Sequence, residues 1–491
     1  MTANPATIAV FLLLFVLVIG IGFAAAGWRQ GDLTQLHEWG LGGRRFGTLI
    51  TWFLLGGDLY TAYTFIAVPT LIFGAGAAGF FAVPYTILMY PLLFMAFPRL
   101  WSVSRRHGYV TAADFVRGRF GNRMLALAVA VTGIVATVPY IALQLKGIEV
   151  VTAAMGIKSD WEMPGIGLIH NMPLLAAFTA LSLYTYRSGL RGTALIAIVK
   201  DFLIYATVLA AIIIIPAELG GYARIFSSVD PKTLLLAPGG ERNLGQGFAY
   251  ASLALGSAAA LFLYPHSVTG ILSSSSRQVI QRNAIILPAY SFALALIALL
   301  GYMAVASGVK NMPEYANGFA MFGNNFAIPA LFLHAFPPWF VGVAFAANAI
   351  GALVPAAIMA IACANLFTRN IFKEFIAPNC TPRQEAEVAK VAALVIKLAA
   401  LFFVLELGGS YAIELQLLAG IWICQTLPAV LIALYTRFFH PLALLAGWAA
   451  GMIAGTWMAA TLNFQGSTFV LQIFGWTVPC LVGEDGELIA G

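Results

Sequence analysis

From Thr51 to Pro69 the chain reads TWFLLGGDLYTAYTFIAVP. Two glycines, a carboxylate, several hydroxyl groups and a proline interrupt one apolar stretch, and both Gly and Pro weaken a helix. Unwound backbone at membrane depth is tolerated only where it lines a cavity or is buried in protein, and broken helices of this kind form transporter binding sites. A kinked packing helix is the alternative interpretation. Asp58 counts against it, because a carboxylate in lipid is unfavourable unless it is solvated or paired.

The rest of the chain is also strongly apolar. Of its 491 residues, 61% are hydrophobic and only 9% are charged, whereas an ordinary globular domain carries roughly 25% charged residues. Apolar windows of about 20 residues, the length that crosses a bilayer, follow one another almost end to end. They predict an all-α polytopic membrane protein with about thirteen transmembrane helices. Their approximate bounds are 5–26, 46–74, 78–98, 124–155, 172–186, 192–216, 246–272, 284–307, 338–365, 388–406, 411–436, 441–462 and 468–483.

The basic residues indicate how these helices are oriented. With the N-terminus outside, the inner loops hold 18 of the 26 Lys and Arg residues, the outer loops hold 5 and the predicted spans hold 3. Cytoplasmic loops carry an excess of Lys and Arg. We therefore expect a bacterial inner-membrane protein with an external N-terminus and a cytoplasmic C-terminus. The net charge of +6 then reflects topology, and no nucleic-acid partner is expected.

The signals of catalysis and metal binding are missing from the sequence. The six histidines are scattered and form no HExxH pattern. The four cysteines, Cys363, Cys380, Cys424 and Cys480, show no CxxC spacing. We therefore expect no enzymatic activity, no metal, no organic cofactor and no obligate protein partner.

Four further stretches form a set with the helix that contains Gly57 and Asp58. They are EWGLGGRRFG (Glu38–Gly47), PYIALQL (Pro139–Leu145), YTYRSGLR (Tyr184–Arg191) and FLYPH (Phe262–His266). Together they resemble the solute:sodium symporter family and, within it, bacterial monocarboxylate permeases of the rhizobial type. The resemblance implies an inverted-repeat core of five plus five helices, with one extra N-terminal helix and two extra C-terminal helices.

The resemblance also implies a division of the chain into four parts. The predicted parts are a preceding helix with a cytoplasmic loop (1–45), a first five-helix repeat (46–216), a second five-helix repeat with extracellular caps (217–436), and two trailing helices with a short cytoplasmic tail (437–491).

In this family a sodium ion lies between backbone carbonyls of the first core helix and hydroxyl groups of the eighth. The resemblance places those carbonyls near Gly57 and Tyr60, and it places Val354 and Pro355 where hydroxyl residues are expected. The eighth core helix, Ala346–Ala364, contains neither Ser nor Thr. Because hard cations prefer oxygen ligands, these four positions predict a vacant sodium site that binds the ion weakly.

A lysine precedes Asp201 in the fifth core helix, where the family usually has an uncharged residue. One hypothesis is that the Lys200 ammonium replaces the sodium ion; the other is that it snorkels to the interface or pairs statically with an acid. Asp58 is the best candidate for a protonatable coupling carboxylate, with a static ion pair as the alternative. Lys146 and Lys397 are further intramembrane cations, for which we expect structural pairing.

Six residues with uncharged polar side chains could supply hydrogen bonds to a substrate. These candidate substrate-binding residues are Tyr60, Thr61, Tyr63, Thr64, Gln144 and His266. Neutral donors and helix ends suit a small carboxylate. The sequence thus predicts alternating-access transport of short monocarboxylates such as lactate, pyruvate, propionate or acetate, coupled to protons or independent of sodium. A conventional sodium symporter for a small carboxylate or an amino acid is the alternative.

Overall fold

The computed structural model describes residues 4–28, 31–61, 63–163, 167–169, 171–239, 243–407, 418–461, 468–473 and 476–481. The side chains of Asp58, Leu59, Tyr63, residues 162–169, residues 406–407 and everything after 461 lie outside that description. The described part is almost entirely helical.

The helices and strands have the following bounds. The α-helices are α1 (Pro5–Ala24), α2 (Leu36–Leu41), α3 (Thr48–Leu59), α4 (Val68–Ala75), α5 (Ala82–Met95), α6 (Phe97–His107), α7 (Ala112–Phe120), α8 (Arg123–Ala154), α9 (Met172–Ser188), α10 (Leu190–Glu218), α11 (Tyr222–Ser228), α12 (Gly245–Leu261), α13 (Pro265–Leu272), α14 (Arg277–Ile286), α15 (Pro288–Ser307), α16 (Ala316–Phe322), α17 (Ala327–Ala335), α18 (Pro338–Phe367), α19 (Pro382–Leu407), α20 (Leu418–Leu434) and α21 (Pro441–Thr461). Two π-helical segments are Tyr63–Ala67 and Thr368–Ile376. Short 3-10 turns are Ala25–Gly27, Gly42–Arg44, Gly76–Phe81, Pro231–Leu234, Val309–Asn311, Pro313–Tyr315 and Gly323–Phe326. The strands are β1 (Trp161–Met163), β2 (Gly167–Ile169), β3 (Thr468–Ile473) and β4 (Trp476–Leu481).

Several helices are suited to a bilayer. Within the described ranges, eight helical stretches are long and apolar enough to cross a membrane, and α12 with α13 forms a ninth if this pair, bent by 48°, crosses once. The eight are Pro5–Gly27, Thr64–Met95, Arg123–Ala154, Leu190–Glu218, Arg277–Ser307, Pro338–Ile376, Pro382–Leu405 and Pro441–Thr461. The helices α3, α9 and α20 are shorter. When they are counted with the longer stretches, a helix lies at each of the first twelve predicted spans. The number that cross the bilayer stays a prediction.

The thirteenth predicted span, 468–483, is wrong where the structure describes it. β3 and β4 pair as an antiparallel hairpin, with Ile473 opposite Trp476. The sequence TFVLQI of β3 is rich in β-branched and aromatic residues, which favour strands. Only one of the two predicted trailing helices, α21, is therefore found within the described residues.

α18 lies at the centre of the bundle. Its residues from Val341 to Leu366 are almost all buried, and it packs against α1, α8, α10, α13 and α19. The sequence AANAIGALVPAAIMAIACANLF, rich in Ala, lets neighbouring backbones approach closely, as membrane helices do when packing holds them together. The predicted eighth core helix thus lies in the most enclosed of the eight long apolar stretches that the structure describes.

The second predicted span is broken inside the stretch Thr51–Pro69. α3 ends at Leu59, and Tyr60 leaves the helical conformation with φ −96° and ψ 87°. The chain resumes as the π-helical segment Tyr63–Ala67 and then as α4, whose first turn accommodates Pro69 because no intrahelical hydrogen bond is lost there. The break leaves backbone carbonyls of α3 free to accept other donors.

Two of the quoted motifs meet in a buried ion pair. Glu38 of α2 is 6% exposed and Arg191 of α10 is 2% exposed, and the Arg191 Nη2 donates to Glu38 Oε2. The half-exposed Arg45 donates to the other carboxylate oxygen at 3.2 Å. A Cβ at Gly31 or Gly43 would collide with this carboxylate. Gly43 of the motif and Gly31, which precedes it, therefore make room for the ion pair.

Removing Arg191 is expected to destabilise the fold strongly. Arg191→Met leaves the Glu38 carboxylate buried with only a peripheral partner, and breaking a buried pair typically costs about 3–5 kcal/mol. Arg45→Met removes a half-exposed cation from the same carboxylate and is expected to change stability by less than about 1 kcal/mol. Thermal unfolding of the purified variants in detergent measures both, and equal midpoints for the two variants would contradict the prediction.

Candidate functional site

The side chain of Lys200 reaches into the break that follows α3. Its Nζ donates to the carbonyl of Gly57 at 2.7 Å and to the carbonyl of Tyr60 at 3.0 Å. The same nitrogen lies 2.9 Å from Asp201 Oδ1, and both side chains are 0% exposed. The ammonium thus lies against the two carbonyls that the family resemblance assigns to sodium, and it points into the protein interior.

Three tyrosines surround this charged pair. The Tyr290 hydroxyl donates to Asp201 Oδ2, the oxygen that faces away from Lys200, and the Tyr60 hydroxyl donates to the carbonyl of Tyr290 at 3.1 Å. The Tyr205 ring lies 5.8 Å from the rings of both Tyr60 and Tyr290. Asp201 therefore accepts a hydrogen bond at Oδ2 and forms an ion pair with Lys200 at Oδ1.

Sequence reasoning missed two members of this cluster. Tyr205 follows Asp201 by four residues, and this spacing places both side chains on one face of α10. The spacing could have predicted that Tyr205 lies near Asp201. Tyr290 lies in α15, far along the chain, and no motif marks it. Only the fold brings it to Asp201.

The adjacent glycines of α3 face two different neighbours. A Cβ at Gly57 would lie 2.9 Å from Lys200 Nζ and 3.2 Å from its Cε. A Cβ at Gly56 would lie 2.0 Å from Cε2 and Cζ of the Tyr290 ring. Gly56 therefore admits the ring that holds Asp201, and Gly57 admits the ammonium.

The side chains of two predicted residues lie outside the described residues. They are Asp58, the predicted coupling carboxylate, and Tyr63, a predicted substrate-binding residue. Their roles stay predictions. The backbone places Asp58 in the last turn of α3, next to the carbonyl that accepts from Lys200.

The other predicted substrate-binding residues are buried near the break and on two neighbouring helices. Thr61 and Thr64 are 2% and 3% exposed, and no described group bonds to Thr61 Oγ1. Gln144 of α8 is 0% exposed and its Nε2 donates to the carbonyl of Tyr140 at 3.3 Å. α8 also packs against the π-helical segment that carries Thr64. This arrangement gives neutral polar groups next to an unwound helix.

His266 lies in an aromatic cluster at the second broken helix. It is 2% exposed, and its ring lies 5.6 Å from the ring of Tyr140 and 5.3 Å from the ring of Tyr264. α13, which carries it, packs against α3. Tyr140 thus connects His266 with Gln144, two of the predicted substrate-binding residues.

Val354 and Pro355 are buried within α18 and offer no side-chain oxygen. Between Ala346 and Ala364 the one oxygen-bearing side chain is Asn348. Its Oδ1 is buried and has no partner among the described residues. The eighth core helix therefore presents an amide and no hydroxyl.

The two other intramembrane lysines differ from each other. Lys146 pairs with Glu149 at 3.0 Å, as predicted. Lys397 is 2% exposed, and its nitrogen has no ion-pair or hydrogen-bond partner in the described part of the chain. The predicted structural pairing of Lys397 is not found among those residues and stays a prediction.

Known proteins match this chain over nearly its full length. The model of the sodium:solute symporter family matches residues 39–455. A Rhizobium johnstonii protein named "Monocarboxylate transport permease protein" is 50% identical over 488 residues, which cover 99% of this chain and 92% of that relative. A Bacillus subtilis protein named "Uncharacterized symporter YodF" is 32% identical over 476 residues, which cover 95% and 91% respectively.

A solved structure shares the fold. A Na+-coupled sialic acid symporter, in a substrate-bound outward-open state, superposes with a TM-score of 0.67 at 17% identity, covering 93% of this chain and 98% of its own. The helical bundle, its broken helices and these matches define a multi-pass membrane protein that acts as a secondary transporter and not as an enzyme. The chain belongs to the sodium:solute symporter family. The predicted inverted-repeat fold class is thereby confirmed.

Proposed function

We propose that this transporter carries short monocarboxylates, of the lactate, pyruvate, propionate and acetate class, without using sodium as its coupling ion. The monocarboxylate assignment rests on the relative that is 50% identical and on the neutral donors next to the broken helix. The proposed setting is the bacterial inner membrane, with the N-terminus outside and the C-terminus in the cytoplasm. Its partners are then the substrate and the lipid bilayer alone.

The position of the Lys200 ammonium is the observation that carries the proposal on coupling. A lysine ammonium has three N–H donors, and Lys200 Nζ has three oxygens within 3.0 Å, those of Gly57, Tyr60 and Asp201. A sodium ion bound to the same two carbonyls would meet this positive charge at contact distance, and α18 offers no hydroxyl to help bind it. The Lys200 ammonium therefore takes the place of the sodium ion.

A proton is the favoured coupling ion. Asp58 is the proposed proton carrier, since it lies in the last turn of α3 beside the Lys200 contact. Asp201 forms an ion pair with Lys200 and accepts a hydrogen bond from Tyr290, and a nearby opposite charge favours the charged form of a carboxylate. We therefore assign to Asp201 the role of holding the Lys200 ammonium in place, and to Asp58 the role of binding and releasing the coupled proton.

A conventional sodium symporter for a small carboxylate or an amino acid is the second candidate. Family membership favours it, and Asn348 Oδ1 is a buried oxygen without a partner in the described residues. A site built from this amide, backbone carbonyls and water would still use oxygen ligands, as hard cations require.

Uptake in proteoliposomes distinguishes these candidates. We expect uptake of labelled lactate to keep its rate, within about twofold, when all sodium is replaced by choline, because Lys200 needs no ion to fill the site. Uptake is expected to rise when the outside is made more acidic than the lumen, and to lose that increase when a protonophore collapses the gradient. Unlabelled acetate, propionate and pyruvate should compete, and neutral amino acids should not. Uptake that disappears in choline would establish the sodium symporter instead.

A further inference from the structure

A small cavity separate from the broken helix lies between α9 and α19. Its volume is about 130 Å³, and Trp39 of α2 is among the residues that line it. Ser182 and Tyr186 of α9 line one wall, and Lys390 and Lys397 of α19 line the other. Since liquid water occupies about 30 Å³ per molecule, the cavity has room for a small ion with part of its hydration shell.

Of the five polar side chains that line this cavity, Tyr186 and Lys390 both contact Glu387, and the other three lack a partner among the described residues. Trp39 is 0% exposed, and its indole Nε1, which can only donate, has no partner among the described residues; the same holds for Ser182 Oγ. Lys397 is 2% exposed and lacks an acid in that part of the chain. Lys390, in contrast, pairs with Glu387 at 2.7 Å. The missing component is therefore an acceptor that faces Lys397.

An unpaired ammonium inside a membrane protein is strongly unfavourable, and buried charges are normally paired. A bound anion would give the Lys397 ammonium the counter-ion that it lacks, and Trp39 and Ser182 are donors without a partner in the described residues that line the same cavity. We propose that this cavity between α9 and α19 binds one small monovalent anion, a halide or a short carboxylate, with Lys397 as its counter-ion and Trp39 as a hydrogen-bond donor.

The dimensions favour a free anion over a lipid headgroup. The volume of about 130 Å³ is small for a glycerophosphate group, and the Lys397 side chain is enclosed by protein. The site shares no residue with the cluster around Lys200, so it is independent of the proposed coupling mechanism.

Thermal unfolding of the full-length protein in choline salts tests the site. Transfer from choline gluconate to choline chloride or choline formate at equal ionic strength is expected to raise the unfolding midpoint by about 3–6 °C, because a ligand that binds only the folded state stabilises it. Lys397→Met is expected to abolish this rise. Trp39→Phe, which removes the N–H donor together with one ring of the indole, is expected to reduce it at least by half.

Lys146→Met is the matched control, because Lys146 is an intramembrane lysine that already has an acid partner; it should keep the full rise. Equal midpoints of the unmodified protein in gluconate, chloride and formate would overturn the proposal, as would a rise that persists in Lys397→Met.

The same measurement in nanodiscs of phosphatidylcholine with or without phosphatidylglycerol tests whether a lipid headgroup occupies the cavity. Stabilisation that requires phosphatidylglycerol and ignores chloride and formate would assign the cavity to a lipid headgroup and overturn the proposal. Poor folding of Lys397→Met leaves the anion response of the unmodified protein and of Trp39→Phe to decide.

Discussion

Lys200→Met is expected to reduce monocarboxylate uptake by more than about tenfold, the largest effect that any single side chain of this protein should have. Methionine fills much of the same space but supplies none of the donors that now bind the carbonyls of Gly57 and Tyr60 and the carboxylate of Asp201. Breaking a buried pair by removing one partner typically costs about 3–5 kcal/mol, and a tenfold effect corresponds to about 1.4 kcal/mol. Initial rates of labelled lactate uptake in proteoliposomes, normalised to reconstituted protein, measure the loss.

A double variant separates loss of folding from loss of function. Lys200→Met with Asp201→Asn removes both charges and should recover much of the thermal stability, because no uncompensated carboxylate is left. If the ammonium acts at the cation position, uptake and its dependence on a pH gradient stay lost in this stable double variant. Recovered uptake with an unchanged pH dependence would show that Lys200 is only a structural counter-ion. Lys146→Met, at a lysine paired with Glu149 away from the break, should transport normally.

The sequence could predict this cluster because its signals are local. Gly57 and Asp58 interrupt an apolar run, Lys200 precedes Asp201 directly, and α18 lacks hydroxyl residues throughout. Asp58, Lys200 and Asp201 place charged groups at membrane depth, and such groups need a partner. The resemblance to a family then brought the segments together, and the structure places Lys200 against the carbonyls of Gly57 and Tyr60.

Long-range and conformational features could not be predicted in the same way. Tyr290 reaches Asp201 only because α15 packs against α10, and a tyrosine in an apolar helix carries no signal of its own. The cavity at Lys397 is lined by Trp39 of α2 together with residues of α9 and α19, which lie far from α2 in the sequence. The segment 468–483 is predicted as a helix but contains the hairpin β3–β4, because hydrophobicity alone does not distinguish a pair of apolar strands from a membrane span.

The paired glycines of α3 provide a test that leaves every charged group in place. Gly57→Ala puts a methyl group 2.9 Å from Lys200 Nζ and 3.2 Å from its Cε, closer than nonbonded carbon contacts allow. Because the colliding atoms are the far end of a flexible side chain, the lysine can move away, and the helix gains from the alanine substitution up to about 1 kcal/mol. We therefore expect a folded protein whose ammonium is displaced from the carbonyls of Gly57 and Tyr60, with uptake reduced at least about tenfold.

Two neighbouring substitutions make this result specific. Gly20→Ala in α1 adds the same methyl group where nothing lies within 4 Å, so uptake and the unfolding midpoint should stay at or slightly above their original values. Gly56→Ala drives a methyl group to 2.0 Å from the rigid ring of Tyr290, so it should lower the midpoint as well as uptake, since an overpacked core typically loses about 1–3 kcal/mol. Gly57→Ala should therefore lose transport with a smaller loss of stability than Gly56→Ala. Full uptake in Gly57→Ala would mean that the position of the Lys200 ammonium in the break is not required for transport.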